Sequence, residues 1–184
     1  MRQAKDLTFH LLTHEDADEL LRFELAERAW FEQHIEARAE CFYTPQGVAK
    51  HIIDCLALNA QRKMNPLVIR ERGVIVGRAN LRNIVGEHAQ VGYRIARSAG
   101  GRGVAQAALK RLVTEARCVY GVTQLEAVVT EDNSASQRVL IKSGFTAQER
   151  LSLYSRVRGT LKDCWIFKYS PALSDGLAAS KTLY

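Results

Sequence analysis

With 184 residues, 47% of them hydrophobic and 25% charged, the chain has the composition of a globular protein able to bury a sizeable core. No apolar run reaches the roughly 18–20 residues of a membrane span, and the charged start Met1-Arg2-Gln3-Ala4-Lys5-Asp6 lacks the apolar stretch of a secretory signal, so a cytoplasmic protein with no membrane partner is expected. The net charge of +6 is unevenly spread: residues 15–40 hold Glu15, Asp16, Asp18, Glu19, Glu24, Glu27, Glu32, Glu36 and Glu40, whereas Arg62 to Lys168 is basic. Such asymmetry fits two charged faces with different partners, or simply a solvated acidic helix on a basic protein. Cys41, Cys55, Cys118 and Cys164 are scattered without metal spacing, so reduced thiols and no metal site are expected.

In chain order, Leu7–Leu12 reads as a strand and Thr13 as a cap for a helix from His14 to about Arg28, in which Ala17, Leu20, Leu21 and Leu25 recur at helical spacing. The helical pattern extends over Ala29–Phe42, with Trp30, Phe31, Ile35 and Phe42 as its large apolar groups. Pro45 opens a second helix with Val48, Ile52, Cys55, Leu56 and Ala60 as its buried stripe. Leu67–Arg70, the turn Glu71-Arg72-Gly73 and Val74–Leu81 predict an antiparallel hairpin, and Ala89–Ala96 a further strand after a turn at Gly86. Ala105, Leu109, Leu112, Ala116 and Val119 then mark a long amphipathic helix. Leu125–Thr130 is a strand, Asn133–Ser143 a short helix, and Phe145–Tyr154 with Leu161–Tyr169 a closing pair of strands. Residues 1–170 are expected to form one domain, followed by a loosely ordered tail over 171–184. Antiparallel strands followed by strand–helix–strand–helix imply an α/β (α+β) protein with a mixed sheet flanked by helices.

Chemistry concentrates after the Val91–Ala96 strand, where Gly100-Gly101-Arg102-Gly103-Val104-Ala105 opens the long helix. A glycine turn at a helix N-terminus presents unpaired amide N–H groups and the positive end of the helix dipole, a site for phosphate. Glycine lets the phosphate approach the backbone closely, and Arg97 and Arg102 add charge nearby. The segment lacks the Gly-Lys-Ser/Thr end of a P-loop, and a dinucleotide fingerprint would need glycine where Gln106 stands.

A second block narrows the choice: Thr130-Glu131-Asp132-Asn133-Ser134-Ala135-Ser136, then Val139-Leu140-Ile141-Lys142-Ser143-Gly144-Phe145. Together the two blocks resemble motifs A and B of the GNAT superfamily of N-acetyltransferases. Asn-x-x-Ser followed by Gly-Phe is similar to the RimJ/RimL type, the ribosomal-protein N-terminal acetyltransferases, and Gly92-Tyr93 and Gly159-x-x-x-Asp163 fit the same branch. The resemblance covers about residues 5–170. It implies a GNAT fold with a mostly antiparallel sheet and two parallel strands splayed apart, and acetyl-CoA as acyl donor. By the same resemblance, main chain near Ile95 pairs with the pantetheine arm, Gly101, Arg102, Gly103, Val104 and Ala105 hold the pyrophosphate, and Asn133 orients the thiol end of the cofactor while capping its helix. Relatives usually carry Gln or Arg where this chain has Gly100, which removes a side-chain donor but leaves the backbone cradle.

The tyrosine that protonates the leaving thiolate in many GNAT enzymes is replaced by Leu140; the RimJ/RimL pattern has serine three residues after the asparagine, and the resemblance implies that serine, here Ser136, as the acid, its plainer reading being a small helix residue bonding its own backbone. The glutamate that some relatives carry five residues before the asparagine is here Val128; Glu87, His88 and Glu126 are the chemically able bases, and attack by an already neutral amine is an alternative. The expected activity is acyl transfer to a primary amine, above all a protein N-terminal α-amine such as that of a ribosomal protein, since the acidic segment lies on the acceptor side. Small amines, amino acids and antibiotics are alternative acceptors, and a non-catalytic acyl-CoA-binding regulator is the alternative class. No aromatic-plus-basic pattern of an RNA-recognition module is present, so no direct nucleic-acid role is expected. The resemblance also implies a possible homodimer.

Overall fold

The protein is described here by a computed structural model covering residues 6–169, so the expected tail over 171–184 lies outside the described residues. Seven strands form one sheet in the order β1-β2-β3-β4-β5-β7-β6. They are β1 (Leu7–Leu11), β2 (Asn65–Glu71), β3 (Val74–Val85), β4 (His88–Ile95), β5 (Gln124–Thr130), β6 (Phe145–Val157) and β7 (Thr160–Tyr169). The hairpin loops Arg72-Gly73 and Arg158-Gly159 each place both residues at positive φ (52° and 81°, 50° and 76°), the left-handed turn whose twist matches that of its strands. All neighbouring strands run antiparallel except β4 and β5, which are parallel and paired only at His88↔Gln124, Ala89↔Leu125 and Gln90↔Glu126. Beyond those pairs the two strands part, β4 running on to Ile95 and β5 to Thr130.

Thr13 and Asp16 form the entry to the first helix: the Thr13 main-chain N–H donates to Asp16 Oδ2 at 2.8 Å and its hydroxyl at 3.2 Å. A short 3-10 turn at His14–Asp16 precedes α1 (Ala17–Phe31). The helix does not continue through residue 42 as its apolar spacing suggests. Arg28 reaches forward to both Glu32 and Glu40 and ties the following loop back on the helix, while Phe42 packs edge-on to His51 at 5.3 Å. These tertiary contacts outweigh further helical turns, and only a 3-10 turn at Glu40–Tyr43 remains.

Helix α2 (Pro45–Ala60) starts with Thr44 Oγ1 accepting the Gly47 N–H at 3.0 Å, and it buries Val48, Ile52 and Cys55; Leu56 is only half-buried and Ala60 is exposed. Helix α3 (Val104–Cys118) buries Val104, Ala108, Leu109, Leu112 and Ala116, while Val119 lies beyond its end and is exposed. Helix α4 (Ser134–Lys142) buries Leu140, the residue that replaces the family tyrosine. Arg78 on β3 meets Glu24 of α1 and His51 of α2, whereas Tyr93, paired to the neighbouring Ala79, meets Ser136 of α4. Successive strand residues face opposite sides. Helices α1 and α2 therefore cover one face of the sheet, and α4, with α3 packed beside it, the other. Among the described residues no helix is long and apolar enough to cross a membrane. All four cysteines are unpaired, Cys55 and Cys164 being buried.

Candidate active site

Where β4 and β5 part, a cleft of about 390 Å³ opens in the sheet and carries lining residues from both faces. Tyr93, Asn133, Ser136 and Leu140 line it on the α4 side; Arg38, Arg78, Asn80 and Arg94 line it on the α1 side. The Ala96 N–H donates to Val76 O, so alternation turns the main chain of Ile95 away from β3 and toward the gap. One acceptor position of the Ile95 carbonyl is taken by the Trp30 indole N–H at 3.1 Å, which accounts for Trp30 as a packing residue rather than a pocket wall. A carbonyl oxygen has two lone pairs, so the second is available to a ligand.

At the end of β4 the chain turns through Arg97–Ala99 into the glycines. Gly101 (φ 70°) and Gly103 (φ 84°) sit in the left-handed region, and a Cβ added to either would meet nothing within 4 Å. Gly103 is the N-cap of α3, and no side chain caps that end. The first-turn amides of Val104 and Ala105 are thus offered on an open side, which fits the pyrophosphate of acetyl-CoA. Arg102 is engaged otherwise: both of its terminal nitrogens donate to Glu71, at 3.1 and 2.8 Å. Its main-chain amide remains in the turn.

On α4, Asn133 Oδ1 accepts the Ser136 N–H at 3.0 Å, the capping role read from sequence, which leaves the side-chain NH2 of Asn133 on the cleft. Ser136 Oγ lies 2.9 Å from Tyr93 Oη. Burial raises the Tyr93 phenol above its ordinary value, against the opposing effect of that hydrogen bond, so the group is a proton donor at neutral pH. Sequence alone used Tyr93 only as a family marker; its partnership with Ser136 joins residues far apart in the chain.

The three expected bases do not reach the cleft. His88 and Glu126 line a separate hollow at the closed end of the β4–β5 pair, where Gln90 donates to Glu126 at 2.8 Å. Glu87 sits in the preceding turn and accepts from the Thr123 hydroxyl at 2.7 Å. Val128 does line the cleft and brings no carboxylate to it. The histidine and the carboxylate that do line the cleft are His34 and Glu36, from the loop that the sequence pattern extended as helix. His34 Nδ1 is 3.6 Å from Asp132 Oδ1.

Most of the acidic run of residues 15–40 is paired rather than forming an open anionic face, Glu15, Asp18 and Glu36 being exposed. Asp16 binds Arg70 at 2.7 Å, Glu19 also faces Arg70, Glu27 accepts the Arg97 N–H at 2.9 Å, and Glu32 and Glu40 share Arg28. Glu24 is fully buried, with Arg94 at 3.2 Å, Arg78 at 3.6 Å and Arg38 at 3.8 Å. Phe31 and Phe42 belong to the core and also support this group, Arg94 stacking 5.5 Å above Phe31 and Arg38 4.1 Å above Phe42. Among the described residues no group of three or more His, Cys, Asp or Glu side chains is placed to hold a metal ion.

The chain belongs to the GNAT acetyltransferases: the family described as acetyltransferase (GNAT) domain matches residues 6–146. It is accordingly an acyltransferase, and its sheet, with the parallel β4–β5 pair, is the GNAT fold. The uncharacterized N-acetyltransferase p20 of Bacillus licheniformis is 24% identical to it over 167 residues, 88% of this chain and 90% of that protein. Among solved structures, the ribosomal-protein-S5-alanine acetyltransferase of Vibrio fischeri superposes with a TM-score of 0.85 at 18% identity, covering 89% of this chain and 92% of that one. RimJ of Mycobacterium smegmatis, solved with CoA-disulfide, also gives 0.85, at 22% identity and 94% and 84% coverage. The RimJ/RimL likeness read from Asn133, Ser136 and Gly144-Phe145 is thus met by the fold.

Proposed function

We propose that the chain transfers the acetyl group of acetyl-CoA to a primary amine, and that the amine is the N-terminal α-amine of a protein, such as a ribosomal protein. The observation that carries this reading is a cleft lined from both sheet faces, with the uncapped α3 turn on the face of Tyr93 and Ser136. Gly101 to Ala105 hold the pyrophosphate on main-chain amides, the Ile95 main chain faces the pantetheine arm, and the Asn133 NH2 orients the thiol end. Bound acetyl-CoA supplies an activated acetyl thioester. Tyr93 donates to Ser136 Oγ, which leaves the Ser136 hydroxyl hydrogen for the departing sulfur. His34 or Glu36 takes the proton of the amine, directly or through water. Orientation within the cleft supplies much of the acceleration. The name of the Vibrio fischeri enzyme supports a ribosomal acceptor. A second reading, a small acceptor such as an amino acid, is favoured by the arginines that line the cleft, which suit its carboxylate.

The test is free-thiol release from acetyl-CoA with N-terminal peptides of ribosomal proteins, polyamines, amino acids and aminoglycosides. Release with an α-amine peptide is expected; silence across the whole panel would refute transfer and leave a regulator that binds acyl-CoA. Ser136→Ala should lower kcat by about a hundredfold, at the low end for a positioned proton donor, with cofactor affinity unchanged. An unaltered kcat would remove Ser136 from the mechanism.

A further inference from the structure

The cluster around Glu24 carries more positive charge than its surroundings neutralise. Three guanidiniums, those of Arg38, Arg78 and Arg94, lie within 4 Å of one carboxylate. The remaining titratable neighbours are Tyr43 and Cys55, whose phenol and thiol burial raises so that both stay neutral, and His51, whose ring nitrogen is 2.9 Å from Arg78 Nη1. Burial, reinforced by Arg78, Arg38 and Arg94, pulls His51 down to about 3, so it is neutral at physiological pH and adds no charge. Burial, with Arg94 beside it, pulls Arg38 down only to about 10, so that guanidinium stays charged. Three cations against one anion leave two net positive charges, and the cleft-lining Glu36 and Arg82 are one of each sign.

The hydrogen-bond accounting agrees with the charge. Arg78 is only 2% exposed, yet its Nε and Nη2 have no acceptor and the Nε of Arg38 also lacks one, three unmet donors against two unmet acceptors, Glu24 Oε1 and Asn80 Oδ1, in the same wall. Native proteins rarely leave buried donors of this kind unmet. Arg38, Arg78 and Arg94 all line the cleft, on the α1 side, across the sheet from Tyr93 and Ser136. Asn80 lines the same wall. Gly92 stands between Gln90 and Arg94 on this strand face, and a Cβ added to it would meet nothing within 4 Å.

Resting on the acetyltransferase reading above, we propose that the acceptor carries an oxyanion as well as its amine. Arg78, Arg94 and Arg38 hold that oxyanion, a carboxylate or a phosphate monoester, on the acceptor side of the cleft while the amine is directed to the Ser136 side. Guanidinium is the side chain best shaped for either group, because its planar fork can meet two oxygens at once. The phosphates of the cofactor do not account for the cluster, since their cradle opens on the opposite face of the sheet.

The experiment compares matched amines with and without the anion: aminoethyl phosphate against aminoethanol, beta-alanine against propylamine, and a peptide with an acidic second residue against its amide. Free CoA release is read for the wild type and for Arg94→Gln, whose side chain is 22% exposed against 2% for Arg78. The anionic member of at least one pair should be preferred by tenfold or more in kcat/KM. Arg94→Gln should shrink that ratio mainly by raising KM. Which pair shows the preference separates phosphate from carboxylate, and small acceptor from peptide. Neutral members used as well as anionic ones would overturn the proposal, even though transfer itself would stand. As a readout independent of turnover, inorganic phosphate should raise the melting temperature of the wild type and do so less for Arg94→Gln. Arg38→Gln provides the same comparison should Arg94→Gln fail to fold. No phosphate effect on the wild type, combined with no acceptor preference, also refutes the site.

Discussion

At the N-terminus of α3 the groups proposed to meet an anion are main-chain amides at Gly101–Ala105; on the α1 side of the cleft they are the guanidiniums of Arg38, Arg78 and Arg94. The first site needs only a turn of fixed shape and tolerates almost any neighbouring side chain. The second consists of charges that repel one another and are held together by a single carboxylate. A backbone site therefore depends little on its ligand for stability, whereas the proposed side-chain site should gain stability when an anion binds.

That contrast can be broken or sharpened by substitution. The largest effect is expected for Glu24→Gln, which keeps the shape of the side chain but removes the one carboxylate that, among the described residues, lies within 4 Å of the three guanidiniums. A loss of about 3–5 kcal/mol is expected, as for other buried ion pairs deprived of one partner. Urea unfolding measures it, and added phosphate should restore part of the loss; a change within error would show that the cluster is not held by Glu24. Gly103→Val comes next. At φ 84° a β-branched residue is strained, so the turn must rearrange, and acetyl-CoA affinity should fall about a hundredfold by calorimetry. Retained affinity would mean that the turn is not the phosphate cradle.

The smallest effect concerns pH. His51 stays neutral in the folded protein down to about 3, while in the unfolded chain it protonates near 6.5. The unfolded state therefore binds the extra proton, and stability is full above about pH 6.5 and declines as the pH drops toward 3. Between pH 7 and pH 5 the wild type should lose about 2 kcal/mol more than His51→Gln. Equal losses would show that His51 is not under the field of the arginines.

The same contrast explains what the sequence disclosed. Gly101, Gly103 and the helix behind them are contiguous, and backbone sites of this kind are written as local patterns. Asn133 and Ser136 were legible for the same reason, being one turn of one helix. The arginine site draws Glu24 from α1, Arg38 from a loop, Arg78 from β3 and Arg94 from β4, and no spacing in the chain links them. Reading residues 29–42 as helix also hid the loop that brings His34, Glu36 and Arg38 to the cleft. The acidic run looked like a surface because pairing with Arg70, Arg28 and the buried arginines is a property of the folded chain. Tyr93 was noticed as a motif residue, but its hydroxyl partner lies 43 positions away.

The parting of β4 from β5 after Gln90 and Glu126 has a consequence for motion. It gives the interior of a seven-stranded sheet two unsealed borders, so the amides of Ile95 and Val128 should exchange with deuterium in the manner of edge-strand positions, although both lie mid-sheet. A ligand strand that seals the seam would slow that exchange and bind only the folded chain. At a hundred times its dissociation constant such a ligand adds about 2.7 kcal/mol to stability. The halves of the sheet on either side of the seam would then unfold together in its presence and more independently without it.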